Sequence, residues 1–259
     1  MTISSPANPL VKDVRRAIQR GGLTTQGWCV AETFHLLDEA LRDAQVRHVL
    51  AAESAHSRVE SLLRRYPGVP LAVLPDSLFQ TVSATETSQG VVALVEPRQW
   101  SLDDLFRGTA LVVVLDGLQD PGNAGAIVRA AEAFGATGVL FLKGAVSPHN
   151  PKTLRASAGS LFRVPFLHSV EPGVLQPHNV AIYGAVAARP GSPARSLSEV
   201  DLARSCALIV GSEARGVSPA LRAASIEISI PTLGVESLNA AVAAGILLYE
   251  ASRQRSLHL

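Results

Sequence analysis

Apolar residues recur along this chain in two rhythms, one with the period of a helix and one with that of a strand, and the two alternate. Asn8-Pro9 can cap and open a helix, Leu10, Val14 and Ile18 then form an apolar stripe, and Gly21-Gly22 ends the run. WCVA (28–31) reads as a strand, after which Phe34, Leu37 and Leu41 return to helical spacing. HVLAA (48–52), PLAVL (70–74) and GVVALV (90–95) read as further strands, separated by helical patterns around 59–65 and 77–82. The polar stretch EPRQWSLDDLFRG (96–108), with Pro97 and Gly108, breaks this rhythm and marks a boundary between domains over 1–98 and 107–259.

A second series follows the boundary. Strands are expected at 110–115, 138–142, 164–168, 180–187, 206–210 and 226–230, with helices at 124–134, about 151–161, 218–224 and about 236–253. Strands alternating with helices imply an α/β fold with a mostly parallel sheet covered on both faces.

Composition narrows the class. The 259 residues are 47% hydrophobic with a formal net charge of +1, enough for one large core or two modest ones. No apolar run reaches the roughly 18 residues that span a bilayer. MTISSPANPLVKDVRR turns basic before any stretch of signal-peptide length, so a cytoplasmic protein with no membrane partner is expected. Cys29 and Cys206 each lie in an apolar, strand-like run and read as buried reduced thiols. The histidines are scattered, and no metal site is expected.

Three glycine-bearing turns carry the candidate chemistry. In LDGLQDPGNAGAIVRAAEAFGA (115–136) a central strand ends at Asp116 and turns into a helix that Asn123 can cap, with Arg129 its one cation. The turn lacks G-x-G-x-x-G spacing, and no carboxylate follows between Glu132 and Glu171 to hold the ribose of a nicotinamide dinucleotide. That interval instead carries Lys143, Lys152, Arg155 and Arg163, the pattern of a phosphate-contacting surface. In ALIVGSEARGVS (207–218), Gly211 removes a side chain where a ligand could meet the backbone, and Glu213 is either a loop residue or a specific acceptor. In IEISIPTLGVESLNAAVAAGILLYEA (226–251), Ser237 or Asn239 can cap a helix. The small residues Ala240, Ala241, Ala243, Ala244 and Gly245 suit close packing inside the domain or between subunits.

Together the three turns resemble the signature motifs of the SpoU (TrmH) family of RNA ribose 2′-O-methyltransferases, in order and in spacing. NPKTLRASAGSLFRVPF (150–166) resembles the family's segment between the first two motifs. NPLVKDVRR and SQGVVALV resemble the N-terminal domain of its ribosomal-RNA members. The resemblance implies a SPOUT-type α/β domain with a deep trefoil knot, which sequence pattern could not supply because chain threading is generally excluded. It implies a homodimer and S-adenosyl-L-methionine as methyl donor, contacted by Gly211, Ile230, Leu233 and Leu238. Asn123, Arg129, Glu213, Ser237 and Asn239 would fill the catalytic and structural polar positions. An L30e-like N-terminal domain would grip RNA, with Lys12, Arg15 and Arg16 as candidate contacts. The expected substrate is ribosomal RNA, 23S in the first place, with transfer RNA or a catalytically silent RNA-binding role as alternatives. Two departures fall in the N-terminal domain. Glu32-Thr33 stands where relatives often read Glu-Gly, and GGLTTQGW replaces an arginine-rich segment. A guanidinium is almost always protonated, so Arg129 is expected to clamp a phosphate and stabilise an alkoxide, its part as proton acceptor left open.

Overall fold

In the computed structural model, which describes residues 1–85, 87–178, 180–188 and 193–256, the Asn8 side chain accepts the Leu10 N–H at 2.9 Å. Helix α1 (Pro9–Arg20) therefore starts where the Asn-Pro pair indicates, and Gly21 ends it at φ 62. The chain forms two units, Met1–Gln99 with Ser147–Arg163, and Trp100–Val146 with Val164–Leu259.

The first unit continues through β1 (Cys29–Glu32), α2 (Phe34–Asp43), β2 (Gln45–Ala52), α3 (His56–Leu63), β3 (Leu71–Leu74), α4 (Asp76–Phe79) and β4 (Val91–Glu96). Its sheet runs β1-β4-β2-β3, with β4 antiparallel to β1 and β2 and with β3 parallel to β2. Val11, Val14 and Ala17 of α1 join Val30, Leu50, Leu74, Phe79 and Val92 in one core. Burial pushes the Cys29 thiol up to about 12, in line with an inert core residue.

Glu32 is a buried carboxylate, 1% exposed, satisfied by a single loop. Ser83 Oγ (2.5 Å), the Ala84 N–H (2.7 Å), Thr85 Oγ1 (2.7 Å) and Ser88 Oγ (3.0 Å) all donate to it. Thr33 beside it takes φ 127, a left-handed conformation that favours glycine, while its hydroxyl caps α2 by accepting the Leu36 N–H. A glycine would be unstrained here.

The segment 147–163 departs from the expected boundary at 107: it packs with the first unit. Asn150 caps α7 (Pro151–Ala156), and Arg163 pairs with Glu39 (2.5 Å) and Asp43 (2.8 Å) of α2. The helix stops short of the expected 161 because Ala158 and Gly159 take φ 50 and φ 94. A Cβ on Gly159 would lie 2.8 Å from the Glu39 side chain, so this docking requires a glycine.

The second unit holds α5 (Leu102–Leu105), β5 (Leu111–Asp116), α6 (Pro121–Ala133), β6 (Gly138–Leu142), β7 (Phe166–Val170), β8 (Ala181–Val186) and β9 (Arg195–Ser196). It then holds β10 (Cys206–Gly211), α8 (Pro219–Ala223), β11 (Ile226–Ser229) and α9 (Ala240–Ser256). Its seven strands, in the order β7-β6-β5-β10-β8-β11-β9, pair in parallel throughout. Both faces of the central strands are buried, as the continuous apolar runs predict. Pattern reading missed α5, which a Ser101–Asp104 capping box starts, and the two-residue β9.

Helix α9 is pinned at its far end. The Arg255 guanidinium donates to the carbonyls of Leu202, Thr109, Ala110 and Arg204, at the entry of β5 and β10. Among the described residues no helix is long and apolar enough to cross a membrane.

Replacing Thr33 with Gly is expected to raise stability by about 1 kcal/mol, strain relief outweighing the few tenths lost at the cap. Glu32→Ala should cost about 3 kcal/mol or more by leaving four donors unpaired in the interior. Urea unfolding of the two variants checks both signs.

Candidate functional site

The carboxyl ends of β8, β10 and β11 open onto a cavity of about 570 Å³. Val210, Ile228, Ile230, Leu238 and Leu247 give it apolar walls, with Glu213 and Ser237 among its polar lining. This edge is where parallel α/β sheets bind ligands, and the volume suits a nucleoside-sized molecule.

The loop after β10 folds back on itself. Ser212 and Gly216 exchange two backbone hydrogen bonds, at 3.1 and 2.8 Å. A Cβ on Gly211 would lie 2.0 Å from the Gly216 carbonyl carbon. The close approach expected of Gly211 toward a ligand is thus, in the first place, an approach of the chain to itself. Asp116, the carboxylate that ends β5, accepts the Ser218 N–H at 2.6 Å and ties this loop to the neighbouring strand.

The cap of α6 is Asp120, whose carboxylate accepts the Asn123 N–H at 2.6 Å, and not Asn123 as the sequence suggested. With Asp120 at the cap, the helix starts earlier, at Pro121, and the Asn123 side chain is released. Its Nδ2 donates to Glu213 Oε1 at 2.6 Å, and its Oδ1 accepts from Asn239 Nδ2 at 3.0 Å. Asn239 Oδ1 in turn accepts the N–H groups of Ala241 (2.9 Å) and Val242 (3.2 Å), so Asn239 rather than Ser237 caps α9. Each amide orientation dictates the next. An oxygen is needed at the helix start, which turns the Asn239 NH₂ to Asn123 and the Asn123 NH₂ to the carboxylate. One chain of hydrogen bonds therefore joins the three glycine-bearing turns.

The other sequence-derived residues divide. Gly211, Glu213, Ile230, Ser237, Leu238 and Asn239 all line the cavity. Leu233 does not, and is 99% exposed. Arg129 is an exposed residue of α6 outside the lining, with no side-chain partner among the described residues. Of the basic candidates, Lys12, Arg16 and Lys152 are exposed and unpaired among the described residues. Arg15 donates to Thr81 Oγ1 (2.6 Å), Lys143 pairs with Glu171 (3.1 Å), and Arg163 is held by Glu39 and Asp43. Arg155 is half-buried, with Nη1 buried and unpartnered. The run of cations is therefore not one continuous free surface. Sequence reading overlooked Arg215, Arg222, Glu227 and Glu236, all of which line the cavity. Arg215, Glu227 and Glu236 lay inside the quoted stretches, but only the fold shows that they face the same space.

Residues 110–249 match the SpoU rRNA methylase family, and residues 8–93 match an MRM3-like substrate-binding domain. A 23S rRNA (guanosine(2553)-2′-O)-methyltransferase, RlmP, of Bacillus subtilis is 33% identical over 95% of this chain and 97% of its own length. A 23S rRNA (uridine(2479)-2′-O)-methyltransferase of Streptomyces viridochromogenes is 36% identical over 75% of this chain and 70% of its own. The crystal structure of the SpoU methyltransferase AviRb from the same organism, in complex with the cofactor AdoMet, superposes with a TM-score of 0.83. It is 27% identical over 96% of this chain and 98% of that one. The fold is that of the AdoMet-dependent SpoU methyltransferases. The chain belongs to the SpoU rRNA methylase family.

Asn123→Ala removes the central link and is expected to cost about 1 kcal/mol in urea unfolding. Asn123→Asp should cost more, since it sets a second carboxylate against Glu213. Equal losses for the two variants at neutral pH would exclude this placement of charge.

Proposed function

We propose that this protein is an S-adenosylmethionine-dependent ribose 2′-O-methyltransferase of ribosomal RNA, with 23S RNA as substrate, working in the cytoplasm as a homodimer. The observation that carries the reading is the meeting of Asn123, Glu213 and Asn239 beside a cavity at the carboxyl edge of a parallel sheet. The relatives that extend over most of the chain, the 23S enzymes of Bacillus and Streptomyces, support the substrate.

The cavity fits the donor in size and in its apolar walls, and Gly211, Ile230 and Leu238 of its lining would hold it. S-adenosylmethionine supplies a methyl group already activated on a sulfonium. The protein's own task is to align the ribose hydroxyl and to help its proton leave. In this reading Asn123, Glu213 and Asn239 are positioning residues that hold the three loops, and Ser237 stands at the cavity wall with no side-chain partner among the described residues. The trefoil knot is part of the same reading. Its support is that α9, the last element, returns to pack on α6 and β10 after the chain has run out to β11 on the far side of β8.

The homodimer accounts for two features. Val242 (52% exposed), Ile246 (36%) and Tyr249 (56%) make an apolar stripe along the outer side of α9, as a subunit contact would. Arg129 is absent from the lining of its own chain's cavity, so we assign it to the cavity of the second copy. There it clamps the phosphate next to the reacting ribose and stabilises the developing alkoxide. On the first unit, Lys12, Arg16 and Lys152, unpaired among the described residues, are the candidate cations that would meet RNA phosphates.

Labelled methyl transfer to unmodified 23S RNA, with transfer RNA in a parallel reaction, tests the function: incorporation confined to transfer RNA would reject the substrate. Arg129→Ala and the cavity-blocking Ile230→Arg should each be inactive. Mixed after subunit exchange, they should regain about a quarter of wild-type activity if Arg129 acts across the dimer, and none if it acts within one chain. Replacing Lys12 and Arg16 together with Gln should weaken RNA binding and lower its log–log salt slope by about 2, leaving donor affinity unchanged.

A further inference from the structure

Among the described residues, the ionisable side chains lining the cavity are Glu213, Glu227, Glu236, Arg215 and Arg222. Among these described residues, three carboxylates against two guanidiniums leave the wall with one excess negative charge. Arg222 and Glu227 neutralise each other at 2.6 Å, and Glu213 is engaged by Asn123. Glu236 and Arg215 have no side-chain partner among the described residues, and Glu236 adjoins Ser237 and Leu238 on the cavity wall.

Donor and product of the proposed reaction differ in charge at one atom. S-adenosylmethionine carries a sulfonium besides its ammonium and carboxylate, whereas S-adenosylhomocysteine has a neutral thioether there. The apolar walls contact surface that both molecules share and cannot separate them. A fixed negative charge can, because it attracts only the form with the additional positive charge.

We propose that Glu236 is the counter-charge to the donor sulfonium, so that the cavity retains the charged donor and releases the uncharged product. The inference rests on the reading that this cavity holds the donor. Once the methyl has passed to the ribose and the sulfur has become neutral, the carboxylate loses its partner and the product is held by its shared contacts alone. An exposed carboxylate is screened by salt, so the discrimination is a few-fold effect and depends on ionic strength.

The test is isothermal titration of S-adenosylmethionine and S-adenosylhomocysteine into wild-type protein and Glu236→Gln, at low and at high KCl, with thermal unfolding to confirm that the variant is folded. In the variant, donor affinity should fall about 5-fold and product affinity by less than about 2-fold. Added KCl should narrow the wild-type preference but leave the variant's unchanged. Equal weakening of both ligands would place Glu236 against the ammonium they share, and unchanged affinities would give it no electrostatic part; either result overturns the proposal. If the wild-type protein binds neither molecule, it is the cavity reading itself that falls.

Discussion

A single carboxamide, that of Asn123, fixes three loops far apart along the chain to one another. It donates to Glu213 in the loop after β10 and accepts from Asn239 at the start of α9. Neither neighbour can exchange roles with it. Glu213 when ionised is acceptor-only, and the Asn239 oxygen is already committed to two backbone N–H groups. The polarity of the chain of bonds runs one way, from carboxylate to helix start, and the cavity's rim inherits its shape from it. That arrangement depends in turn on Asp120, which takes the capping role and leaves the Asn123 side chain available.

Helix α9 carries this local order through the second unit. At one end Asn239 caps it beside the cavity; at the other, Arg255 and Gln254 fasten it to backbone groups of residues 200–204, with Arg255 reaching those of 109–110 as well. Seventeen residues separate the two ends of the helix, about 25 Å of rise. Between them, Ala240, Ala244, Leu247, Leu248 and Ala251 are buried. The small side chains near the start let α6 and α9 lie close, and the Phe134 ring meets Tyr249 edge-on. The helix is thereby both a wall of the site and the strut that holds it, while its exposed apolar stripe is left for a second copy in the function proposed.

The first unit is built on different terms. Its central polar feature is a carboxylate withdrawn from water, Glu32, with a loop wrapped around it to supply donors. Beside it, Thr33 holds a backbone conformation costly for a β-branched residue. The segment 147–163 leaves the sheet of the second unit after β6 and returns to it at β7. In between it is bound to α2 through Arg163 and through the absence of a side chain at Gly159. Basic residues that look alike in sequence are thus sorted into structural ones, such as Arg15 and Arg163, and ones unpaired among the described residues, such as Lys12, Arg16 and Lys152.

Local chemistry made much of this legible in advance. Continuous apolar runs marked β5, β6 and β10 because strands buried on both faces need them, and Asn8-Pro9 and Gly21 bounded α1 because caps are local. Three turn motifs pointed to the family and to most of the cavity wall. Tertiary structure alone decided the rest, since it depended on partners distant in sequence. It gave the cap of α6 to Asp120, turned Gly211 toward Gly216, left Leu233 in solvent and Arg129 away from its own cavity, and moved 147–163 to the first unit. A side chain's type states which bonds it can make; which of them it does make is fixed only when the fold presents the partner.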